Sequence, residues 1–295
     1  MRGRFGDLIT AMVTPFDGEG KVNLKEAARL ASHLADHGSD GFVLAGSTGE
    51  GPTVTDEEKT QLIEAVKEAV GDRATIIANT GTYDTAHSIH LTKQAEKAGA
   101  DAALVVTPYY NRPPQNGLLA HFRAVAGSTK LPIILYDIPA RSARKIEHET
   151  LVELSQVENI VAVKDACADV QGAALLVADS AEGFEVYSGN DGDTLPWLSV
   201  GAVGVIAVAS HVVGPQMAEM ISLFKSGDAE AARKIHLDLM PVFDMLGALT
   251  TNPIPVKAAL VEMGFDVGEP RLPLVPATPD QLKVIREILK KAGAL

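Results

Sequence analysis

The stretch Asn159-Ile160-Val161-Ala162-Val163-Lys164-Asp165-Ala166 shows the pattern from which the fold of this chain is predicted. It is a short apolar run without the alternation of polar and apolar residues that a half-exposed strand shows. Such runs are typical of parallel strands buried on both faces. The run ends in Lys164, whose amine is costly to bury, loses its charge easily and then attacks carbonyl groups. A lysine that merely extends into solvent at a strand end is the alternative.

Seven further runs of this kind are separated by amphipathic helical stretches, whose predicted ends include a capping-box pattern at Thr55 and Glu58. The eight runs cover residues 8–13, 41–45, 75–79, 102–107, 132–137, 160–164, 184–189 and 204–209. Eight consecutive βα units predict an α/β fold of the (β/α)8 TIM barrel type. A doubly wound sheet is the alternative, but the chain lacks the Gly-x-Gly-x-x-Gly turn that usually follows its first strand.

The β runs stop after Ser226, and the rest of the chain is helical in pattern. Residues 228–249 and 254–263 form amphipathic stretches, and Thr278-Pro279 provides an N-cap and a proline for a third helix. We therefore predict two domains. Residues 1–225 form the catalytic barrel, and residues 226–295 form a C-terminal helical appendage.

Composition restricts the partners and the compartment. The net charge of −12 argues against nucleic acid and anionic membranes as partners, and no apolar stretch approaches the length of a membrane span. A strand-like run follows the first five residues directly, so no apolar signal segment is predicted there. The single cysteine, Cys167, excludes an internal disulfide framework and indicates a reducing, cytoplasmic location. We expect Cys167 to be a packed side chain. His87 and His90 could share a helix face, but we predict that they have no carboxylate or thiol companion, so a solvated helix face is expected and no metal site.

Polar residues follow several predicted strands at their carboxyl ends, where the active site of a TIM barrel lies. The segments are Gly46-Ser47-Thr48-Gly49-Glu50, Thr107-Pro108-Tyr109-Tyr110-Asn111-Arg112-Pro113, Tyr136-Asp137-Ile138-Pro139-Ala140-Arg141-Ser142, Val163-Lys164-Asp165-Ala166 and Ser188-Gly189-Asn190-Asp191. The glycine-flanked turn of the first segment exposes backbone N–H groups that suit an anion. An anion-binding turn, phenols, a guanidinium and an amine on one rim predict an enzyme.

The first four of these segments resemble those of the pyruvate-dependent class I lyases and aldolases, the N-acetylneuraminate lyase superfamily, and the resemblance extends over about residues 9–277. It implies that Lys164 forms a Schiff base with pyruvate. It also implies that Tyr136, Ser47 and Tyr110 relay protons, with Tyr110 reaching in from a neighbouring subunit. The chemistry needs no metal and no organic cofactor, because the iminium itself is the electron sink. A positively charged rim would favour the neutral amine.

The resemblance assigns the remaining site residues to substrate binding. Thr48 matches the site for the carboxylate of pyruvate. Arg141 matches the guanidinium that orients the relay tyrosine and binds the carboxylate of L-aspartate 4-semialdehyde. Gly189 and Ile206 match further pocket residues. The implied reaction condenses these two substrates in lysine and diaminopimelate biosynthesis, and the implied assembly is a homotetramer, a dimer of dimers.

Alternatives to this substrate assignment concern Ser47. Threonine is more common there in the branch that uses L-aspartate 4-semialdehyde, and serine is common in sialic acid lyases, so a sugar-acid aldolase or N-acetylneuraminate lyase is the alternative. Arg141 favours the first branch, because those lyases generally lack it. A non-catalytic pyruvate-binding barrel would have lost Lys164, Tyr136 or Tyr110. Asp137 and Ala140 also depart from the usual residues, and neither change has a functional explanation.

Feedback-sensitive members of the superfamily bind lysine with an amide and a carboxylate in the segment after strand three. Tyr83 and His87 stand at those two positions here. A histidine cannot provide the anionic partner that the amine of free lysine needs. Asp84 is the nearest carboxylate, but on a helix it would project about 60° away from His87. We therefore predict that lysine does not inhibit this protein appreciably.

Overall fold

Eight parallel strands close into a barrel in chain order in this computed structural model, which describes residues 2–295. The strands are β1 (Leu8–Ala11), β2 (Gly41–Leu44), β3 (Thr75–Asn79), β4 (Ala102–Val106), β5 (Ile133–Asp137), β6 (Ile160–Asp165), β7 (Glu185–Ser188) and β8 (Gly204–Ala207). Pairing of β1 with β8 closes the ring. The TIM barrel prediction is confirmed. Each strand lies within its predicted run, except that β6 extends one residue further, to Asp165.

Helices surround the barrel and connect its strands. They are α1 (Leu24–Asp36), α2 (Asp56–Val70), α3 (Thr85–Lys97), α4 (Gln115–Ala126), α5 (Pro139–Ser142), α6 (His148–Ser155), α7 (Val170–Asp179), α8 (Thr194–Ser199) and α9 (Ser210–Ser226). The capping box predicted from Thr55 and Glu58 begins α2. The short helix α5 lies directly after β5 and carries Arg141, so the β5 segment brings both Tyr136 and Arg141 to the carboxyl end of the barrel.

Three more helices follow the barrel: α10 (Ala229–Ala248), α11 (Ile254–Glu262) and α12 (Pro279–Lys291). Thr278 caps α12 and Pro279 occupies its first turn, as predicted. The C-terminal helices share one buried apolar cluster with the barrel, in which Leu8 and Leu30 belong to the same packed core as Leu246 and Ile285. The division into two domains at residue 226 stays a prediction. No helix within residues 2–295 is long and apolar enough to cross a membrane.

The alternation of side chains along β5 and β6 determines which residues face the barrel axis. Tyr136 pairs in register with Lys164, and Asp137 pairs with Asp165. Tyr136 packs in the interior cluster of the barrel, whereas its strand neighbour Leu135 packs in the cluster formed with the outer helices. The inward pair is therefore a phenol and an amine, and the outward pair is two carboxylates.

Candidate active site

A cavity of about 290 Å³ opens at the carboxyl ends of the strands. Six of the eight predicted site residues line it: Ser47, Thr48, Tyr136, Arg141, Lys164 and Gly189. They come from the ends of β2, β5, β6 and β7, and α10 contributes part of the opposite wall through Phe243 and Asp244. The barrel therefore brings together side chains that are more than a hundred residues apart in sequence.

Lys164 is the only lysine on this cavity wall among the described residues, and its side chain is buried. Its Nζ lies 4.5 Å from the centre of the Tyr136 ring. Burial lowers the pKa of the Lys164 amine from 10.5 to about 8, Asp191 acts in the opposite direction, and Arg141 lowers the pKa further. The expected effect of positive charge is present, but burial is the larger cause. A substantial fraction of the amine is neutral near pH 8.

The Tyr136 phenol keeps its proton at neutral pH. Burial raises its pKa to about 12, while Arg141 and a hydrogen bond with Ser47 act in the opposite direction. A phenol of this kind donates or relays a proton rather than resting as a base. Tyr136 and Ser47 therefore form the start of a hydroxyl chain beside the Lys164 amine.

The turn after β2 holds Ser47 and Thr48 in a fixed conformation. The Thr14 hydroxyl donates to the carbonyl of Gly49 at 2.6 Å, and the N–H of Gly51 donates to the carbonyl of Gly46 at 2.9 Å. A Cβ at Gly51 would lie 2.1 Å from the carbonyl oxygen of Ala45, so only glycine fits there. The turn places a hydroxyl pair, rather than one flexible side chain, on the cavity wall.

Asn252 links two of the predicted substrate-binding residues, although it lies in the predicted C-terminal helical appendage. Its Nδ2 donates to Thr48 Oγ1 at 2.9 Å, and its backbone carbonyl accepts from Arg141 Nη2 at 3.4 Å. No described residue is a hydrogen-bond partner for its Oδ1. A single asparagine before a proline gives no sequence signal of this role, because only the fold brings it to the cavity.

Asp191 lines the cavity three residues after the end of β7, and its sequence motif predicts no role for it. Its two carboxylate oxygens accept hydrogen bonds of 2.9 Å each from the backbone N–H groups of Val208 and Ala209. Burial raises its pKa. The carboxylate fixes the end of β7 to the segment after β8 and supplies the negative charge that acts on Lys164.

Comparison with known proteins agrees with this geometry. A model of the dihydrodipicolinate synthetase family matches residues 4–292. A 4-hydroxy-tetrahydrodipicolinate synthase from Mycolicibacterium paratuberculosis is 50% identical, over 99% of this chain and 96% of the relative. The chain belongs to the dihydrodipicolinate synthetase family.

Solved structures of family members share the same architecture. A dihydrodipicolinate synthase from Bacillus anthracis superposes with a TM-score of 0.95 and 45% identity, covering 98% of each chain. The enzyme from Cyanidioschyzon merolae, solved with lysine bound, superposes with a TM-score of 0.97 and 42% identity over 100% of each chain. Barrel and C-terminal helices are both included in these matches.

Two predicted site residues do not line the cavity. Tyr110 is 92% exposed and has a φ of +71°, a strained conformation for a residue with a side chain. Ile206 is fully buried in the barrel interior, in the same apolar cluster as Tyr136. The structure of one chain therefore does not bring Tyr110 to Lys164, and it places Ile206 in the core rather than on the cavity surface.

The remaining candidates from the sequence lie outside the cavity of this family member. Cys167 Sγ donates to Asp137 Oδ2 at 3.2 Å, and burial raises the pKa of its thiol, which is unsuited to a nucleophile. The prediction that His87 lacks a carboxylate companion was wrong, because Nε2 of His87 lies 2.8 Å from Asp56 Oδ2 on α2. Within residues 2–295 no group of three or more potential ligands could hold a metal ion.

Proposed function

We propose that this protein condenses pyruvate with L-aspartate 4-semialdehyde to 4-hydroxy-tetrahydrodipicolinate, in lysine and diaminopimelate biosynthesis. The observation that carries the proposal is Lys164, a buried lysine with a pKa lowered to about 8, facing a polar cavity beside the Tyr136 phenol. The 50% identity to a 4-hydroxy-tetrahydrodipicolinate synthase supports the same reaction. The single cysteine supports a cytoplasmic location.

Lys164 is the proposed nucleophile. Its neutral amine attacks C2 of pyruvate, a C–N bond forms, and the ketone oxygen leaves as water. The resulting iminium makes the adjacent methyl group acidic, and loss of one proton gives an enamine. The enamine carbon bonds to the aldehyde carbon of the second substrate, whose oxygen takes up a proton. The amino group of that substrate then attacks C2, closes the ring and releases Lys164.

Tyr136 and Ser47 are the proposed proton relay. Formation of the iminium and the later condensation with the aldehyde both require protons to move between nitrogen, oxygen and solvent. The Tyr136 phenol is protonated in the resting state, so it can protonate the departing ketone oxygen. Tyr110 is the proposed third member, supplied by a neighbouring copy of the chain. Its 92% exposure supports this role, because the side chain is accessible to a neighbouring copy of the chain.

Thr48 and Arg141 are the proposed carboxylate sites. The chain carries a net charge of −12, so two anionic substrates must be held by local donors and positive charge. Thr48, with the backbone of its turn, binds the carboxylate of pyruvate, and Arg141 binds that of the semialdehyde. Gly189 allows the chain after β7 to lie close to the end of β6 at the cavity, because a Cβ there would lie 2.7 Å from Ala166 Cβ and 2.9 Å from the carbonyl oxygen of Asp165. Ile206 supports Tyr136 from the barrel interior.

Borohydride reduction in the presence of pyruvate tests the mechanism. Peptide mass mapping should find the reduced adduct on Lys164 and none in Lys164→Ala. An adduct solely on another lysine, or no adduct in an active protein, would contradict the proposal.

A substrate comparison tests the second substrate. Pyruvate consumption with L-aspartate 4-semialdehyde should exceed consumption with N-acetylmannosamine. The reverse order would indicate a sugar-acid lyase.

The proposed functional unit is a dimer, and the proposed complete assembly is a tetramer of two dimers. Tyr110 joins the relay of a second subunit only if two barrels pack rim to rim. Tyr110→Phe should lower kcat and leave the molar mass measured by light scattering unchanged. A fully active monomer at assay concentration would contradict this arrangement.

A further inference from the structure

A buried ion pair joins the C-terminal helices to the turn that carries Ser47 and Thr48. Lys257 Nζ donates to Glu50 Oε1 at 2.8 Å, and both side chains are at most 2% exposed. The same ammonium donates to the carbonyls of Thr14 and Glu269 at 3.2 Å each. The backbone N–H of Arg271 donates to Glu50 Oε2 at 2.8 Å. All three ammonium donors and both carboxylate oxygens therefore have partners.

A buried ion pair is by itself weak evidence that the pair stabilises the fold. Removing two unit charges from water is costly, and apolar replacements of buried pairs are often equally stable. What a fully hydrogen-bonded pair does provide is one defined geometry. Here that geometry includes Glu50 in the left-handed region, with a φ of +54°, directly after the Ser47-Thr48-Gly49 turn. The N–H of Glu50 donates to the carbonyl of Ser47 at 3.2 Å.

A second contact extends from the same C-terminal segment to the turn. Asn252, five positions before Lys257, donates to Thr48 Oγ1. The C-terminal chain therefore contacts the turn at two points, Thr48 and Glu50. Asn252 lines the cavity, but its contact is with Thr48, and the contact of Lys257 is with Glu50, so neither contact is made with Lys164 itself.

We propose that Lys257 and Glu50 are positioning residues that set the placement of Ser47 and Thr48, so that the C-terminal helices shape the pyruvate site without contributing a reacting group through this pair. The inference rests on the proposed function, because it assigns the turn to pyruvate and the proton relay. Pyruvate binding should depend on the pair, and binding of the semialdehyde at Arg141 should depend on it much less.

The deciding variant is the double substitution Lys257→Met/Glu50→Gln. Lys257→Met alone leaves a buried carboxylate unpaired and can unfold the chain. In the double variant, position 50 carries a neutral amide: its oxygen can accept from the Arg271 N–H, and its nitrogen can donate to a carbonyl that Lys257 leaves. We expect the melting temperature of the double variant to stay within about 8 °C of the parent. We expect kcat/KM for pyruvate to fall at least tenfold, with most of the change in KM for pyruvate.

Glu26 on α1 provides the matched control. It also accepts from a C-terminal backbone N–H, that of Asp266 at 2.9 Å, and it pairs with Arg29, which donates to the carbonyl of Gly264. None of these four residues lines the cavity. Glu26→Gln should lower the melting temperature without changing KM for pyruvate.

The inference is overturned if the folded double variant has the same kcat and KM for pyruvate as the parent protein. It is also overturned if Glu26→Gln raises KM for pyruvate as much as the double variant does. If KM for the semialdehyde rises threefold or more and by the same factor as KM for pyruvate, the inference is also overturned. A general loosening of the site would raise both KM values together. Borohydride trapping at saturating pyruvate should still label Lys164 in the double variant. Failure to trap pyruvate in the parent protein would refute the proposed function itself. The parent protein is therefore tested before the variants.

Discussion

Two pairs of buried ionisable residues lie on neighbouring rungs of the same two strands. Tyr136 and Lys164 face the barrel axis, and one residue further along, Asp137 and Asp165 face the outer helices. Burial is the largest cause of the pKa shift in all four: it lowers the pKa of Lys164 and raises that of the other three. The two pairs differ in access, because only the inner pair lines the cavity.

The carboxylates of the outer pair accept hydrogen bonds from other groups of the protein. Asp137 Oδ2 accepts from the N–H of Ile146 at 3.1 Å and from Cys167 Sγ, and burial raises the Asp137 pKa to about 7. Oδ1 of Asp137 has no hydrogen-bond partner among the described residues. A perturbed pKa is therefore a poor guide to a catalytic site by itself, and it becomes informative when the group also faces a space that a substrate can enter.

The largest contrast is expected between two adjacent conservative substitutions. Tyr136→Phe removes the relay hydroxyl and should lower kcat by roughly 10²- to 10⁴-fold. Asp137→Asn removes a charge of similar burial on the outer face and should leave kcat within about twofold. Steady-state kinetics of both variants test the comparison. Equal losses would show that the outer pair takes part in the chemistry.

Arg141 tests the rim above the inner pair, and its effect should be somewhat smaller. If it binds a substrate carboxylate at the cavity mouth, Arg141→Ala should cost on the order of 2–5 kcal/mol, or roughly 10²-fold or more in kcat/KM for the semialdehyde. Arg141→Lys should restore only part of this, because lysine lacks the planar fork. Near-normal turnover of the alanine variant would contradict the assignment of L-aspartate 4-semialdehyde as the substrate.

The barrel and most of the cavity wall could be predicted because their signals are local. Eight apolar runs give eight strands, and polar residues at strand ends meet at one rim. Asn252 could not be found in this way, since its contact with Thr48 spans 204 positions and depends on how α10 and α11 pack. The contact of Lys257 with Glu50 could not be predicted from the sequence either. Its sequence context is an apolar helix, and nothing local indicates that its partner is Glu50.

Asp137→Asn should also change stability, in a direction set by its raised pKa. An aspartate has an ordinary pKa of 3.8, and in the folded protein that of Asp137 is about 7. Between these values the folded state binds the proton more tightly than the unfolded state, so stability falls as pH rises through this window. The loss is on the order of 2–4 kcal/mol, and asparagine at this position avoids it.

Urea denaturation at pH 4, 6 and 8 measures this effect. We expect Asp137→Asn to be more stable than the parent at pH 8, with a difference that shrinks toward pH 4. Both proteins should keep some slope, because burial also raises the pKa of Asp165. A parent that is equally or more stable at pH 8 would show that Asp137 is charged without penalty.

Free lysine should have the smallest effect on activity. The carboxylates near the predicted effector positions, Tyr83 and His87, already have partners within the protein, as those of the outer pair do. Asp84 caps α3 by accepting from the N–H of Ala86 at 2.9 Å, and Asp56 pairs with His87. Tyr83 packs edge-on against Tyr109, with ring centres 5.4 Å apart. Losing one charge-assisted hydrogen bond of about 1.5–3 kcal/mol weakens binding by roughly 10- to 150-fold.

Titration of lysine into the condensation assay decides whether an occupied carboxylate can still serve a ligand. We expect no half-inhibition below about a millimolar, which corresponds to a binding free energy near −4 kcal/mol. His87→Glu is the matched variant, because it frees Asp56 from the imidazole and adds a carboxylate at one of the two predicted effector positions. Sensitivity that appears only in His87→Glu would attribute the insensitivity to this residue. Sub-millimolar inhibition of the parent would show that Asp56 or Asp84 exchanges its protein partner for the lysine amine, and the contrast between occupied and accessible groups would then fail at this site.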